Sequence, residues 1–161
     1  MEIRDEIEGD CAELRALHVR AFPSVAEAEL VDRLRTDGDA VTSLVALEDE
    51  VIGHVMFSCM QAPFTALGLA PVAVESAFRR KGVANALIRE GLRRAERDGW
   101  QAVFVSGSPS YYRRFGFDVP LAAGFQSPYA GEYFMALALQ EGGLPCKSGA
   151  VSYAPAFDGL D

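Results

Sequence analysis

Apolar positions recur along this chain in two rhythms, one helical and one extended. From Val83 to Arg97, Ala84, Leu87, Ile88, Gly91, Leu92 and Ala95 follow helical spacing, while Asn85, Arg89, Glu90, Arg93, Arg94 and Glu96 fall on the opposite, solvent side. Gly99 supplies a stop, and Ala102 to Val105 returns as a buried strand. With the apolar run Leu69 to Val74 ahead of the helix, this predicts a strand-helix-strand unit that crosses over right-handedly and brings its two strands close. Pro71 lies within the first of them and cannot donate to a ladder, so that strand is expected to be interrupted or bulged. Val41 to Leu47 and Val51 to Cys59, parted by the polar Glu48-Asp49-Glu50, read as an antiparallel hairpin. Met1 to Arg4 reads as a first strand, and Asp10 as the N-cap of a helix carrying Leu14, Leu17 and Phe22. A second helix is expected from Val25 to Arg35. Later, Pro109 opens a short helix to Arg114 that Gly116 ends, and Tyr133 to Leu139 forms a late strand before a Gly/Pro-punctuated tail.

The resulting class is mixed α/β, in the order β-α-α-β-β-β-α-β-α-β-β, with a mostly antiparallel central sheet. Composition adjusts this picture only at its edges. At 161 residues and 50% hydrophobic, with no repeat or linker, residues 1–161 are expected to form one domain. A net charge of -8 argues against nucleic-acid or anionic-membrane surfaces, which need clustered cations. Cys11, Cys59 and Cys146 are odd in number and scattered, which suggests neither a disulfide framework nor a zinc site and fits a reducing cytoplasm. No basic leader, apolar h-region or run long enough to span a bilayer is present in the sequence.

One segment carries candidate chemistry. In Arg79-Arg80-Lys81-Gly82-Val83-Ala84, a glycine stands between three cations and the start of the long helix. Unpaired backbone N–H groups are then set beside positive side chains at the positive end of the helix dipole, which makes an anion site. Gly82 and Ala84 lack bulk, so a pyrophosphate can approach the main chain, and Asn85 adds a polar contact. Neither the Walker-type loop nor the dinucleotide glycine pattern occurs, which disfavours nucleotide hydrolases and dinucleotide enzymes.

A bulged strand followed by Arg-x-x-Gly-x-Ala and a long helix resembles the GCN5-related N-acetyltransferase (GNAT) family. A second match lies about thirty residues on, where Ser108-Pro109-Ser110-Tyr111-Tyr112-Arg113-Arg114-Phe115-Gly116-Phe117 is similar to the family's later helix with its Tyr-x-x-x-Gly-Phe ending. Together with the terminal Val151 to Phe157, the pattern resembles the bacterial YhbS-like subgroup. The resemblance implies a sheet splayed at the cofactor site and an N-acetyltransferase that uses acetyl-coenzyme A. In that reading the Val72 N–H meets the acetyl carbonyl and Val74 pairs with the pantetheine arm. The backbone amides of Arg80, Gly82, Ala84 and Asn85 hold pyrophosphate, with Arg79 and Lys81 adding attraction. Tyr112, four residues before Gly116, is the proton donor to the coenzyme A sulfur, with Tyr111 the adjacent alternative.

The family comparison leaves the acceptor side open. The strand Gly68 to Val74 contains no carboxylate to serve as base, and Glu27, Glu29 and Glu132 are conceivable alongside a water relay. His18, His54 and Cys59 read as structural, and Phe57, Phe64 and Trp100 as core. The acceptor, a small-molecule or protein amine, is expected to meet the early helices around Phe22 to Leu34 and the loop Pro120 to Glu132, where Phe125, Tyr129 and Tyr133 offer apolar surface. The chain is expected to work as a monomer or homodimer without a metal. A non-catalytic acyl-coenzyme A sensor and an enzyme using another short acyl donor are the alternatives.

Overall fold

The computed structural model describes residues 1–160, and Asp161 lies outside them. Six strands form one sheet: β1 (Glu2–Asp5), β2 (Ala40–Glu48), β3 (Glu50–Cys59), β4 (Ala66–Val74), β5 (Ala102–Ser106) and, after a later two-residue strand β6 (Phe125–Gln126), β7 (Phe134–Ala138). Their spatial order is β1-β2-β3-β4-β5-β7, antiparallel throughout except for the parallel pair β4–β5. Helices α1 (Cys11–Ala21) and α2 (Ala26–Thr36) precede β2, and α3 (Val83–Arg97) makes the crossover from β4 to β5.

The period of two along the strands sorts side chains onto two faces. Val55 and Phe57 of β3, Leu67 and Leu69 of β4, and Val103 and Val105 of β5 pack with Val83, Leu87, Ile88, Gly91, Leu92 and Ala95 of α3. On the other face, Met56, Ala66 and Phe104 pack with Leu30, Val31 and Leu34 of α2 and with the tail residues Tyr153, Ala156 and Phe157. The expected helical stripe is therefore correct apart from its first residue: Val83 is buried in place of Ala84. Contact between α3 and β3 is close. A methyl group on Gly91 would stand 2.1 Å from the Phe57 ring, so glycine is required for the approach.

Several expectations are revised. Asp10 does not cap α1 with its side chain; its carboxylate instead accepts from the Ile7 N–H at 2.8 Å and pairs with Arg4 at 2.8 Å. β4 begins at Ala66, three residues before the predicted strand, because Ala66, Leu67 and Gly68 are the residues that pair with β5. The stretch after Gly116 contains α5 (Val119–Ala122), which follows α4 (Pro109–Tyr112), and β6 pairs in parallel with β8 (Gly149–Ala150). Two-residue strands and one-turn helices carry too little periodicity to be read from sequence.

The two histidines, far apart in sequence, meet inside the α1–β3 interface. His18 Nε2 lies 2.8 Å from His54 Nδ1, and His54 Nε2 lies 2.7 Å from Ser43 Oγ, which donates to Glu6 Oε1 at 2.8 Å. Glu6 is clamped by Arg35 at 2.8 and 2.6 Å. Burial alone would raise the Glu6 carboxyl, but hydrogen bonds from His54, Arg35 and Ser43 hold it well below the usual carboxylate range. An ionised Glu6 fixes the direction of the chain: Ser43 donates to it, His54 Nε2–H donates to Ser43, and His18 Nε2–H donates to His54. Burial, reinforced by the neighbouring His54 and Arg35, pushes His18 down to about 3, and burial also lowers His54.

Two predictions follow from this packing. Gly91→Ala improves helix propensity yet should destabilise the protein by about 1–3 kcal/mol through overpacking against Phe57; an unchanged urea midpoint would refute the close approach. Because the folded His18 binds a proton only near pH 3, whereas the unfolded histidine binds it near 6.5, the unfolded state takes up protons first as pH falls. Stability should be full above about pH 6.5 and fall by about 3 kcal/mol by pH 4.5 through His18, with Glu6 adding its own loss below that. Urea titrations across this window read the slope, and a flat profile would mean that the buried histidines bind protons as readily folded as unfolded.

Candidate functional site

The site begins where two strands part. β4 and β5 pair only through Ala66 with Ala102, Leu67 with Val103 and Gly68 with Phe104. β4 then stays with β3 as far as Val74, while β5 remains with β7. Opposite Met56 of β3 stand two residues, Ala70 and Pro71, and this bulge turns the strand as it leaves. The Glu75 N–H donates to the Ile52 carbonyl at 2.8 Å, so strand alternation directs Ala73 toward β3 and turns the backbone groups of Val72 and Val74 to the opposite edge. Among the described residues, no strand pairs with that edge beyond Gly68. A wedge lined by main-chain donors and acceptors results.

At one end of the wedge lies a pocket of about 370 Å³ lined by Val74, Arg79, Arg80, Gly82, Ala84 and Asn85, and also by Tyr111 and Arg114. Arg80 has φ of 64° and Gly82 has φ of 82°, with Lys81 between them at negative φ. Alternating signs of this kind turn successive N–H groups to one side, forming an anion nest. No side chain caps α3, so the N–H groups of its first turn remain available. Lys81, expected to add longer-range attraction, has its ammonium over the Phe78 ring at 5.5 Å and is not among the lining residues. Asn85 is half-buried, in contrast to the predicted solvent position, and accepts a hydrogen bond from Tyr111 Oη at 2.6 Å.

At the other end is a cleft of about 690 Å³ that includes Leu69 to Val72, Ser106 and Tyr112. Tyr111 and Tyr112 therefore face different cavities, as neighbours on one helical turn do. The Tyr112 ring lies against Gly107, where a methyl group would come within 2.6 Å, and makes edge contacts with Tyr111 and Phe117. Burial, with a smaller effect from Tyr111, pushes its phenol up to about 12, so it stays protonated at neutral pH.

Among the open candidates, only Glu27 reaches this cleft; Glu29 and Glu132 are exposed elsewhere. The early helices contribute Phe22, Ser24, Ala26 and Leu30 as expected, but the Pro120 to Glu132 loop contributes only Tyr129. Phe125 is core, set edge-on to Phe64 and Phe104, and Tyr133 is 58% exposed. The tail takes the loop's place, through Tyr153, Phe157 and Leu160. His18, His54 and Cys59 lie outside both cavities. Arg114 was missed in the sequence; its signal was the spacing of three from Tyr111, which lets its guanidinium stack on that ring at 4.4 Å and donate to the Tyr111 carbonyl at 2.9 Å. A larger surface depression, about 1000 Å³, lies elsewhere around the Glu48–Glu50 turn, and there Arg4 and Arg20 already pair with Asp10 and Glu75. Among the described residues, no acidic, histidine or cysteine cluster is arranged to hold a metal, and no helix is long and apolar enough to cross a membrane.

Comparison with known proteins yields one family. The model of the acetyltransferase (GNAT) family matches residues 11–117. The N-acetyltransferase YhbS of Escherichia coli strain K12 is 44% identical over 124 residues, 74% of each chain. A crystal structure of the GNAT family N-acetyltransferase YhbS from Escherichia coli, in complex with CoA, superposes with a TM-score of 0.93 at 35% identity, covering 99% of this chain and 93% of that one. A GNAT family acetyltransferase from Brucella melitensis, in complex with acetyl-CoA, gives 0.81 at 36% identity, covering 98% and 97%.

The nest can be tested with inorganic pyrophosphate alone. Millimolar pyrophosphate should raise the melting temperature, and replacing both Arg79 and Arg114 by Gln should remove most of that rise and its salt dependence. A full shift in the double variant would place the anion elsewhere.

Proposed function

The chain belongs to the acetyltransferase (GNAT) family, and on that premise we propose that it binds acetyl-coenzyme A in the wedge between β4 and β5 and transfers the acetyl group directly to an amine. The observation that carries this reading is the parting of the two strands after Gly68, with an anion nest at one end of the gap and a buried phenol at the other. An elongated, phosphate-bearing thioester matches that sequence of environments. We take the whole of residues 1–161 as a single acetyltransferase domain working in a reducing cytoplasm, in keeping with its three free cysteines.

The backbone amides of Arg80, Gly82, Ala84 and Asn85 hold the pyrophosphate in this reading, and Arg79 and Arg114 neutralise its charge from the side. Lys81 acts only at longer range. Val74 pairs through its main chain with the pantetheine amides, much as an added strand would. The Val72 N–H donates to the acetyl carbonyl and strengthens that bond as negative charge grows on the oxygen. Tyr112 donates its proton to the departing sulfur. Its raised pKa keeps the phenol protonated but makes it a weaker acid, so its transfer has to accompany C–S cleavage within a direct hydrogen bond.

The two adjacent tyrosines give opposite kinetic signatures. Tyr112→Phe should lower turnover about 100-fold while leaving the coenzyme A dissociation constant within about twofold. Tyr111→Phe, which releases Asn85, should weaken coenzyme A binding about three- to tenfold with little change in saturated turnover. Steady-state rates of thiol release and calorimetric binding separate these effects; unchanged turnover in Tyr112→Phe would remove it from the chemistry.

A further inference from the structure

The acceptor side of the cleft holds a polar atom that the proposed donor chemistry does not use. Glu27 stands in the first turn of α2, and its Oε1 is enclosed by protein with no hydrogen-bond partner among the described residues. A shielded carboxylate oxygen without a donor is costly. Glu27 is also the only acidic or basic side chain among the described residues that line the cleft. The surrounding wall is aromatic: Tyr129 and Tyr153 meet edge to face at 5.0 Å, and Tyr153 and Phe157 lie 5.0 Å apart.

We infer that Glu27 receives the ammonium group of the acceptor and takes its proton, and that the acceptor is a small monoamine with an apolar or aromatic body. This rests on the acetyl-transfer reading above. The Glu27 carboxylate has no ion-pair partner among the described residues, and an alkylammonium in the cleft meets it through Oε2, the oxygen that is not enclosed, while the aromatic wall buries its carbon skeleton. Among the described residues one carboxylate answers one cation, so a polyamine or a multiply charged sugar would bring in ammonium groups that no described lining residue pairs. Volume sets the same limit, because about 690 Å³ must hold both the thioester end and the acceptor.

The protons balance over one turnover. Glu27 removes the first from the ammonium, and the free amine forms the C–N bond as the carbonyl π bond opens. When the C–S bond breaks, the sulfur takes the Tyr112 proton, and the second amine proton restores the phenol. Glu27 returns its proton to solvent, leaving amide, thiol and one released proton.

The test uses the full chain, acetyl-coenzyme A and four probe amines: 2-phenylethylamine, spermidine, an aminocyclitol antibiotic and a lysine-bearing peptide. Wild type should prefer 2-phenylethylamine. Glu27→Gln should lower its kcat/KM about 100-fold at pH 7, with melting temperature and coenzyme A affinity held. The deficit should shrink toward pH 10, where the amine arrives already neutral, and Glu27→Asp should recover part of the rate. Preference for the polycations or the peptide, or a Glu27→Gln rate equal to wild type at pH 7, overturns this assignment while leaving acetyl transfer intact. Coenzyme A binding with no thiol release from any amine overturns the transfer reading itself.

Discussion

When two paired strands separate inside a protein, their backbone donors and acceptors lose partners, and each one left buried without a substitute costs about 1–3 kcal/mol. β4 accepts this loss after Gly68 and is kept from collapsing onto β5 by what holds each strand to its other neighbour. β3 holds β4 as far as Val74, and β7 holds β5 through Ser106. The bulge at Ala70 and Pro71 makes the departure local, because a strand with one residue too many cannot keep register with a straight partner. The wedge, the nest at the head of α3 and the placing of Tyr112 all depend on that separation.

The core explains how a sheet with an opened seam remains ordered. α3 lies across β3, β4 and β5, and at Gly91 it comes close enough to rest on the Phe57 ring. Behind the other face, the chain from His18 through His54 and Ser43 to Glu6 ties α1 to β1, β2 and β3, with Arg35 of α2 anchoring the acid. Such a network is costly unless nearly every member finds a partner, and once satisfied it permits only one arrangement of these elements. None of its members lines either cavity, although His18 stacks on Phe22 of the cleft wall, so its charge state acts first on the scaffold.

Sequence revealed the parts governed by local rules. The α3 stripe followed from a period of 3.6, the interrupted strand from a proline that cannot donate, and the anion site from Gly82 beside a cationic run. What stayed hidden was set by long-range placement. Nothing in Tyr111-Tyr112 says which ring faces the nest; that depends on how the one-turn α4 sits across the wedge. The tail residues Tyr153 and Phe157 joined the cleft through Gly68, against which the Tyr153 ring lies, and no local pattern announces such a contact. The place of Lys81 was hidden for the same reason: a cation in that segment rests on the Phe78 face.

The two halves of the gap are built from different materials. Its nest end and strand edge consist largely of main-chain N–H and C=O groups, which almost any side chain leaves in place provided the turn at Gly82 and the bulge at Pro71 survive. The far cleft is made of side chains drawn from α2 and the tail, each replaceable without touching the ladder. On the proposed reading, drift by substitution exchanges one acceptor for another while the handling of the donor is inherited unchanged, so a gene duplicate of this chain could acquire a new specificity before losing its old chemistry.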